Sequence, residues 1–132
     1  MNETIYLAGG CFWGLQKYLD DEVDGITSTK VGYANGYFDT VTYREVCETD
    51  TGFCEAVKVI YDTDKISLDS LLNEYYYTID PTSVNRQGND TGSQYRTGIY
   101  YTIDEQKPVI EASLAELQKS YNKKIAVECL PI

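Results

Sequence analysis

The chain has 132 residues and a mass of 14.9 kDa, the size of one ordinary domain, so residues 1–132 are expected to share a single core. With 42% apolar and 24% charged residues it has the composition of a globular protein, which excludes extensive disorder. Eleven basic residues against 21 acidic ones leave a net charge of −10, which excludes nucleic acid and anionic membrane as partners, because phosphate contacts need clustered Lys and Arg.

The predicted elements alternate between strand and helix. Thr4 to Ala8 is a short apolar strand that meets Gly9-Gly10-Cys11-Phe12-Trp13-Gly14, after which Leu15, Tyr18, Leu19 and Val23 follow a helical period. Ile26 to Tyr33 alternates as a second strand, and Asn35 to Tyr43 carries the Gly, Asn and Asp of an irregular, aromatic-rich loop. Glu55 to Tyr61 alternates as a third strand. Ser67 then opens a helix bearing Leu68, Leu71, Leu72 and Tyr75 that stops before Asp80-Pro81. Residues 80–96 are polar, contain glycine and lack either periodicity, which marks a segment that is either disordered or functional. Thr97 to Tyr101 reads as a strand. Asp104 is placed to cap a helix with Val109, Ala112, Leu114, Leu117 and Tyr121 on its apolar face, and Ile125 to Leu130 closes the chain as a last strand. The order β-α-β-β-α-β-α-β predicts an α+β fold: a two-layer α/β sandwich with a ferredoxin-like mixed sheet and helices packed on one face.

Composition also limits the chemistry. There is no histidine, which excludes Ser-His-Asp and Cys-His nucleophile activation and imidazole metal sites. The four cysteines, Cys11, Cys47, Cys54 and Cys129, include no CxxC pair, so an all-cysteine zinc site lacks its spacing. No stretch approaches the roughly 20 apolar residues of a membrane span, and the first residues, MNETIYLAGG, have no basic segment followed by an apolar run. A soluble, cytoplasmic protein with free thiols is therefore expected.

Cys11 draws attention because it follows two glycines and precedes a helix. The unpaired N–H groups of a first helical turn favour a thiolate there, and glycine lets another molecule approach the backbone. A small cysteine packed in a tight turn is the other reading of the same pattern. Phe12 and Trp13 set two large rings beside the sulfur, as pocket walls or as core.

The string from Gly9 to Gly14 closely resembles the GCFWG signature of peptide methionine sulfoxide reductases of the A type. Val31 to Gly36 resembles that family's GYxGG loop, Thr42 to Cys47 its TYxxVC segment, and Arg86 to Asp90 with Gln94-Tyr95-Arg96 its QGxDxGxQYR loop. The resemblance spans residues 4 to about 130 in family order. It implies a protein-repair and antioxidant enzyme that reduces methionine S-sulfoxide, free or in proteins, through a sulfenic acid on Cys11. Glu55 would be the proton donor, Tyr43 and Tyr95 would hydrogen-bond the sulfoxide oxygen, and Asp90 would position the site. Gly10, Phe12 and Trp13 would bind the substrate, the two rings holding its methyl group. No metal or organic cofactor is implied, and thioredoxin, glutaredoxin or a small thiol would recharge a monomeric enzyme.

Two departures from the family pattern bear on recycling. The chain stops at Ile132, before the family's FYxAExYHQ segment and glycine-rich tail, so a tail-based resolving thiol is not expected. Phe53-Cys54 stands where the family has His-Ala. Cys54 is expected as the resolving thiol ahead of Cys129 for its nearness in sequence to Glu55, with Cys47 and an external thiol as alternatives, although strand alternation sends Cys54 and Glu55 to opposite faces. Three packed cysteines without a redox role are the bland alternative. Competing readings of the whole chain are a catalytically impaired redox-sensing or binding domain on the same scaffold, a thiol peroxidase using Cys11, and an aromatic-rich peptide- or carbohydrate-binding module.

Overall fold

The computed structural model describes residues 1–34, 54–87, 90–92 and 95–132. Strand β1 (Asn2–Ala8) leads into helix α1 (Phe12–Glu22), followed by β2 (Ile26–Ala34), β3 (Cys54–Asp62), α2 (Leu68–Tyr76), the short strands β4 (Arg86–Gln87) and β5 (Asp90–Thr91), β6 (Gly98–Tyr101), α3 (Gln106–Gln118) and β7 (Glu128–Pro131). Five strands form one sheet in the order β2-β3-β1-β6-β7. The first four are antiparallel to their neighbours and carry the ferredoxin-like order, and β7 joins the β6 edge in parallel after α3. The expected α+β fold is borne out.

Period-2 alternation separates the two faces of this sheet. Ile5, Leu7, Val57, Val59, Tyr61 and Ile99 point to one face, where Leu15 and Leu19 of α1, four buried residues of α2 and Ile110 of α3 cover them in a single core. Ala8, Cys54, Ala56 and Tyr100 form a second buried cluster on the other face. Helix α2 starts as the sequence predicts: Ser67 accepts a hydrogen bond from the Ser70 N–H at 3.1 Å, and Leu68, Leu71, Leu72 and Tyr75 form its buried stripe.

Two expectations are corrected. The loop at 80–96 holds a two-residue ladder between β4 and β5, with Gln87 opposite Asp90. Helix α3 is rotated relative to its expected apolar face: Val109 and Ala112 are exposed, whereas Gln106 and Ser113 are buried beside Ile110. The two polar residues are buried because partners await them. Ser113 shares a 2.8 Å hydrogen bond with the Tyr76 hydroxyl. Gln106, only 2% exposed, accepts from the Thr102 N–H at 2.9 Å and donates to the Thr4 carbonyl at 3.0 Å and the Tyr61 hydroxyl at 3.4 Å. Burial pushes the Tyr61 phenol up to about 12, so it stays a neutral partner. Asp104 gives its backbone carbonyl to the Lys107 N–H, and no side chain caps α3.

Replacing Gln106 by alanine removes the acceptor of the Thr102 N–H and one of the donors to the Thr4 carbonyl, which keeps the Thr102 hydroxyl at 2.7 Å. The expected loss is about 1–3 kcal/mol of stability, read as a lower midpoint in thermal or urea unfolding. An unchanged midpoint would show that water takes over these bonds.

Candidate active site

The site begins where β1 ends. The hydroxyl of Tyr75, fully buried on α2, donates to the Ala8 carbonyl and accepts from the Gly98 N–H at 3.3 Å, tying the end of β1 to the start of β6. The chain then turns through Gly9 and Gly10. A Cβ at Gly9 would collide with Ile79 Cγ2, and Gly10 has φ +76° with Gln87 Cβ only 2.8 Å from where its own Cβ would stand, so both positions need glycine. This turn delivers Cys11 to the N-cap of α1 in an extended conformation, half-buried and without a side-chain capping bond. The helix starts three residues earlier than its apolar period indicates, and the N–H groups of its first turn lie beside the cysteine.

Glu55 comes to this helix start from the neighbouring strand. β1 and β3 pair with Ala8 opposite Ala56, so Glu55, the next residue of β3, lies beside the first turn of α1, and its Oε1 accepts from the Phe12 N–H at 3.1 Å. The carboxyl is 1% exposed. The alternative of a solvent-facing strand glutamate is thereby excluded.

Aromatic rings border the pair. Phe12 is buried, its ring centroid 5.1 Å from that of Trp13 in an edge contact, while Trp13 itself is 60% exposed. Tyr33 was not singled out by sequence reasoning, yet it lies opposite Glu55 in the β2–β3 ladder with its ring 5.6 Å from Phe12. The alternation of Val31 and Tyr33 was visible in the sequence; the β2–β3 register that aims Tyr33 at Glu55 was not.

The loop before β6 reaches the same place. Gly10 donates its N–H to the Tyr95 carbonyl at 3.3 Å, and the Tyr95 N–H returns to the Gly92 carbonyl at 3.0 Å. Gln87 fixes the adjoining segment by accepting from the Asp80 N–H at 2.7 Å and donating to the Asp80 carbonyl at 2.9 Å. The backbone of Asp90 pairs with Gln87 and so lies one strand from Gly10. Tyr43 and Cys47 lie outside the described residues. Cys11, Gly10, Phe12, Trp13, Glu55 and Tyr95 are thus gathered at one end of the sheet.

Two predicted cysteines are not. Because β3 begins at Cys54, its thiol points to the face opposite Glu55, where it shares a 3.2 Å hydrogen bond with the Tyr100 hydroxyl. Tyr100 in turn donates to Glu128 Oε2 at 2.7 Å, and Glu128 pairs with Arg96 at 3.2 Å. Desolvation pushes the Cys54 thiol above its ordinary range, leaving it a poor nucleophile. Cys129 sits on β7 opposite Ile99 with two strands between it and β3, half-buried against the helix-side core, and burial raises its thiol as well. Cys54 thus faces away from Glu55, and two strands of the sheet separate Cys129 from β3.

A family model described as peptide methionine sulfoxide reductase matches residues 3–132. The chain belongs to the peptide methionine sulfoxide reductase family. It is 54% identical over 128 residues to the MsrA enzyme of Lachnoclostridium phytofermentans, covering 97% of this chain and 76% of that one. It is 52% identical over 130 residues to MsrA of Clostridium perfringens, covering 98% and 82%. Among solved structures, reduced Mxr1 from Saccharomyces cerevisiae superposes with a TM-score of 0.94 at 37% identity, over 99% of this chain and 76% of that one. MsrA of Corynebacterium diphtheriae gives 0.85 at 36% identity, over 98% and 64%. Mxr1 in complex with Trx2 gives 0.73 at 29% identity, over 99% and 76%. The chain is therefore a peptide-methionine sulfoxide reductase, and the sensor, peroxidase and binding-module readings are not favoured. No helix among the described residues is long and apolar enough to cross a membrane.

Thiol labelling checks the placement of the cysteines. In the folded, reduced reductase, iodoacetamide should modify Cys11 well ahead of Cys54, which should react only on unfolding, as read by peptide mass spectrometry over time. Equal rates at the two sites would contradict the buried position of Cys54.

Proposed function

We propose that Cys11 is the nucleophile that reduces methionine S-sulfoxide and that Glu55 is its proton donor. The observation that carries this reading is the 3.1 Å hydrogen bond from the Phe12 N–H to Glu55 Oε1, which holds a buried carboxyl at the helix start where Cys11 stands. An oxide is a poor leaving group, so reduction needs a proton on the sulfoxide oxygen while a thiolate attacks the sulfur. The buried position keeps the carboxyl away from bulk water, and the Phe12 N–H fixes its direction.

The Cys11 sulfur attacks the sulfoxide sulfur, and the oxygen passes to Cys11 with its proton. The products are methionine and a Cys11 sulfenic acid: methionine sulfur is reduced by two electrons and cysteine sulfur oxidised by two. Tyr95, tied by its carbonyl to Gly10, and Tyr43 donate phenol hydrogens to the oxygen, Asp90 positions this group of residues, and Phe12 and Trp13 enclose the substrate methyl.

An outside thiol then condenses with the sulfenic acid, releasing water and leaving a mixed disulfide that a second thiol reduces. Thioredoxin is the favoured donor, supported by the relative Mxr1 having been solved with Trx2 and by the distance of Cys54 and Cys129 from the site. The free thiols of Cys11 and Cys129 support a reducing, cytoplasmic setting.

The decisive experiment mixes reduced protein with excess methionine S-sulfoxide and no reductant, then counts methionine formed and maps oxidised cysteines. One methionine per chain with the oxidation on Cys11 is expected. Cys11→Ser should form none. Glu55→Gln should slow the single turnover by about 10²-fold or more, the usual range for loss of a general acid. Near-native rates in either variant would overturn that residue's role.

A further inference from the structure

The sheet face opposite the three helices carries a hollow of about 270 Å³ bordered by two lysines. Lys58 of β3 stands directly opposite Lys30 of β2, and on its other side opposite Tyr6 of β1, so the three form one row across the sheet. Ala56 and Gly32 follow in the next row with almost no side chain, and no described atom lies within 4 Å of where a Cβ of Gly32 would stand. Long side chains thus overlook a low floor. Like charges directly opposite each other in a sheet repel. Lysine on the edge strand β2 guards against strand pairing, but Lys58 lies on an inner strand, where that reason fails. Acidic residues outnumber basic ones 21 to 11, and Lys17 and Lys119 each sit beside a carboxylate. Among the described residues, no carboxylate forms an ion pair with Lys30 or Lys58.

A second hollow, of about 450 Å³, shares Tyr6 and Lys58 with the first and continues from them to Thr102 and Ile103, the latter 41% exposed. Glu3 also borders it, and its carboxylate accepts a 3.2 Å hydrogen bond from the Tyr61 hydroxyl. We propose that Lys30, Lys58 and Tyr6 bind the phosphate of a small phosphate monoester whose organic part lies in the second hollow. At pH 7 such a phosphate carries close to two negative charges and three strong acceptor oxygens. Two ammonium groups match that charge, and with the Tyr6 phenol they offer three donor side chains. A carboxylate brings one charge and leaves one lysine unmatched. Inorganic phosphate would leave the second hollow without an occupant, whereas an ester sets its carbon skeleton against Tyr6 and Ile103. Neither hollow is lined by Cys11 or Glu55, so the site does not rest on the roles proposed for them.

The test follows backbone amide shifts of the reduced, isotope-labelled protein by NMR while phenyl phosphate, inorganic phosphate or phenylacetate is added at constant ionic strength. Phenyl phosphate should move the amides of Tyr6, Gly32, Ala56 and Lys58 along one saturating curve. It should bind about tenfold or more tighter than inorganic phosphate, the effect of burying its ring. Lys30→Gln and Lys58→Gln should each weaken it about tenfold, as the loss of one charge-assisted contact does. Both variants should unfold at or above the native midpoint without ligand, because each removes a repulsion. Shifts that climb without saturating, or an affinity unchanged in both variants, overturn the proposal. Equal affinity for phenylacetate overturns the phosphate class, and equal affinity for inorganic phosphate overturns the ester in favour of the free ion.

Discussion

The hydrogen bond between the Phe12 N–H and Glu55 joins residues 43 positions apart, and nearly every feature of the site follows from the conditions it sets. It requires β3 beside β1 in a register that puts Ala8 against Ala56. It requires α1 to begin four residues after Ala8 rather than seven. Only a turn without side chains fits that short path, because Ile79 and Gln87 already occupy the space a Cβ would enter at Gly9 and Gly10. Tyr75 completes the arrangement from a third element, holding Ala8 and Gly98 together so that the segment carrying Cys11 and the segment following Tyr95 are fixed by one phenol. Acid, sulfur and tyrosine backbone therefore belong to one mechanical unit at the end of the sheet.

The sheet also keeps two kinds of sulfur chemistry apart. Cys11 stands at a helix N-terminus among backbone N–H groups; Cys54 stands at the start of a strand, on the far face, in a hydrogen-bonded chain that continues through Tyr100 and Glu128 to Arg96. Neighbouring residues Cys54 and Glu55 thus serve different faces, the first joining a closed network and the second the helix start. Nearness in sequence counts for little along a strand, where each step turns the side chain through half a revolution.

That point explains what was legible beforehand. The strand, glycine turn and helix around Cys11 could be read because hydrophobic period and glycine placement are local properties, and α2 could be read from its Ser67 cap and leucine stripe. The buried face of α3 could not, since Gln106 and Ser113 look exposed until their partners Thr4, Tyr61, Thr102 and Tyr76 are known, and these arrive from elsewhere in the chain. Tyr33 went unnoticed for the same reason, its role depending on strand register rather than on its own neighbours. The β4–β5 ladder is too short to show a period in the sequence.

The fifth strand has a consequence for how this molecule behaves in crowded solution. β7 covers the outer edge of β6, and it is only four residues long and ends in Pro131, which has no N–H to offer another strand. A short edge interrupted by proline is a poor template for strand-by-strand growth, so on this side the sheet guards itself against self-association. An exposed strand of another protein would find little to pair with along this edge.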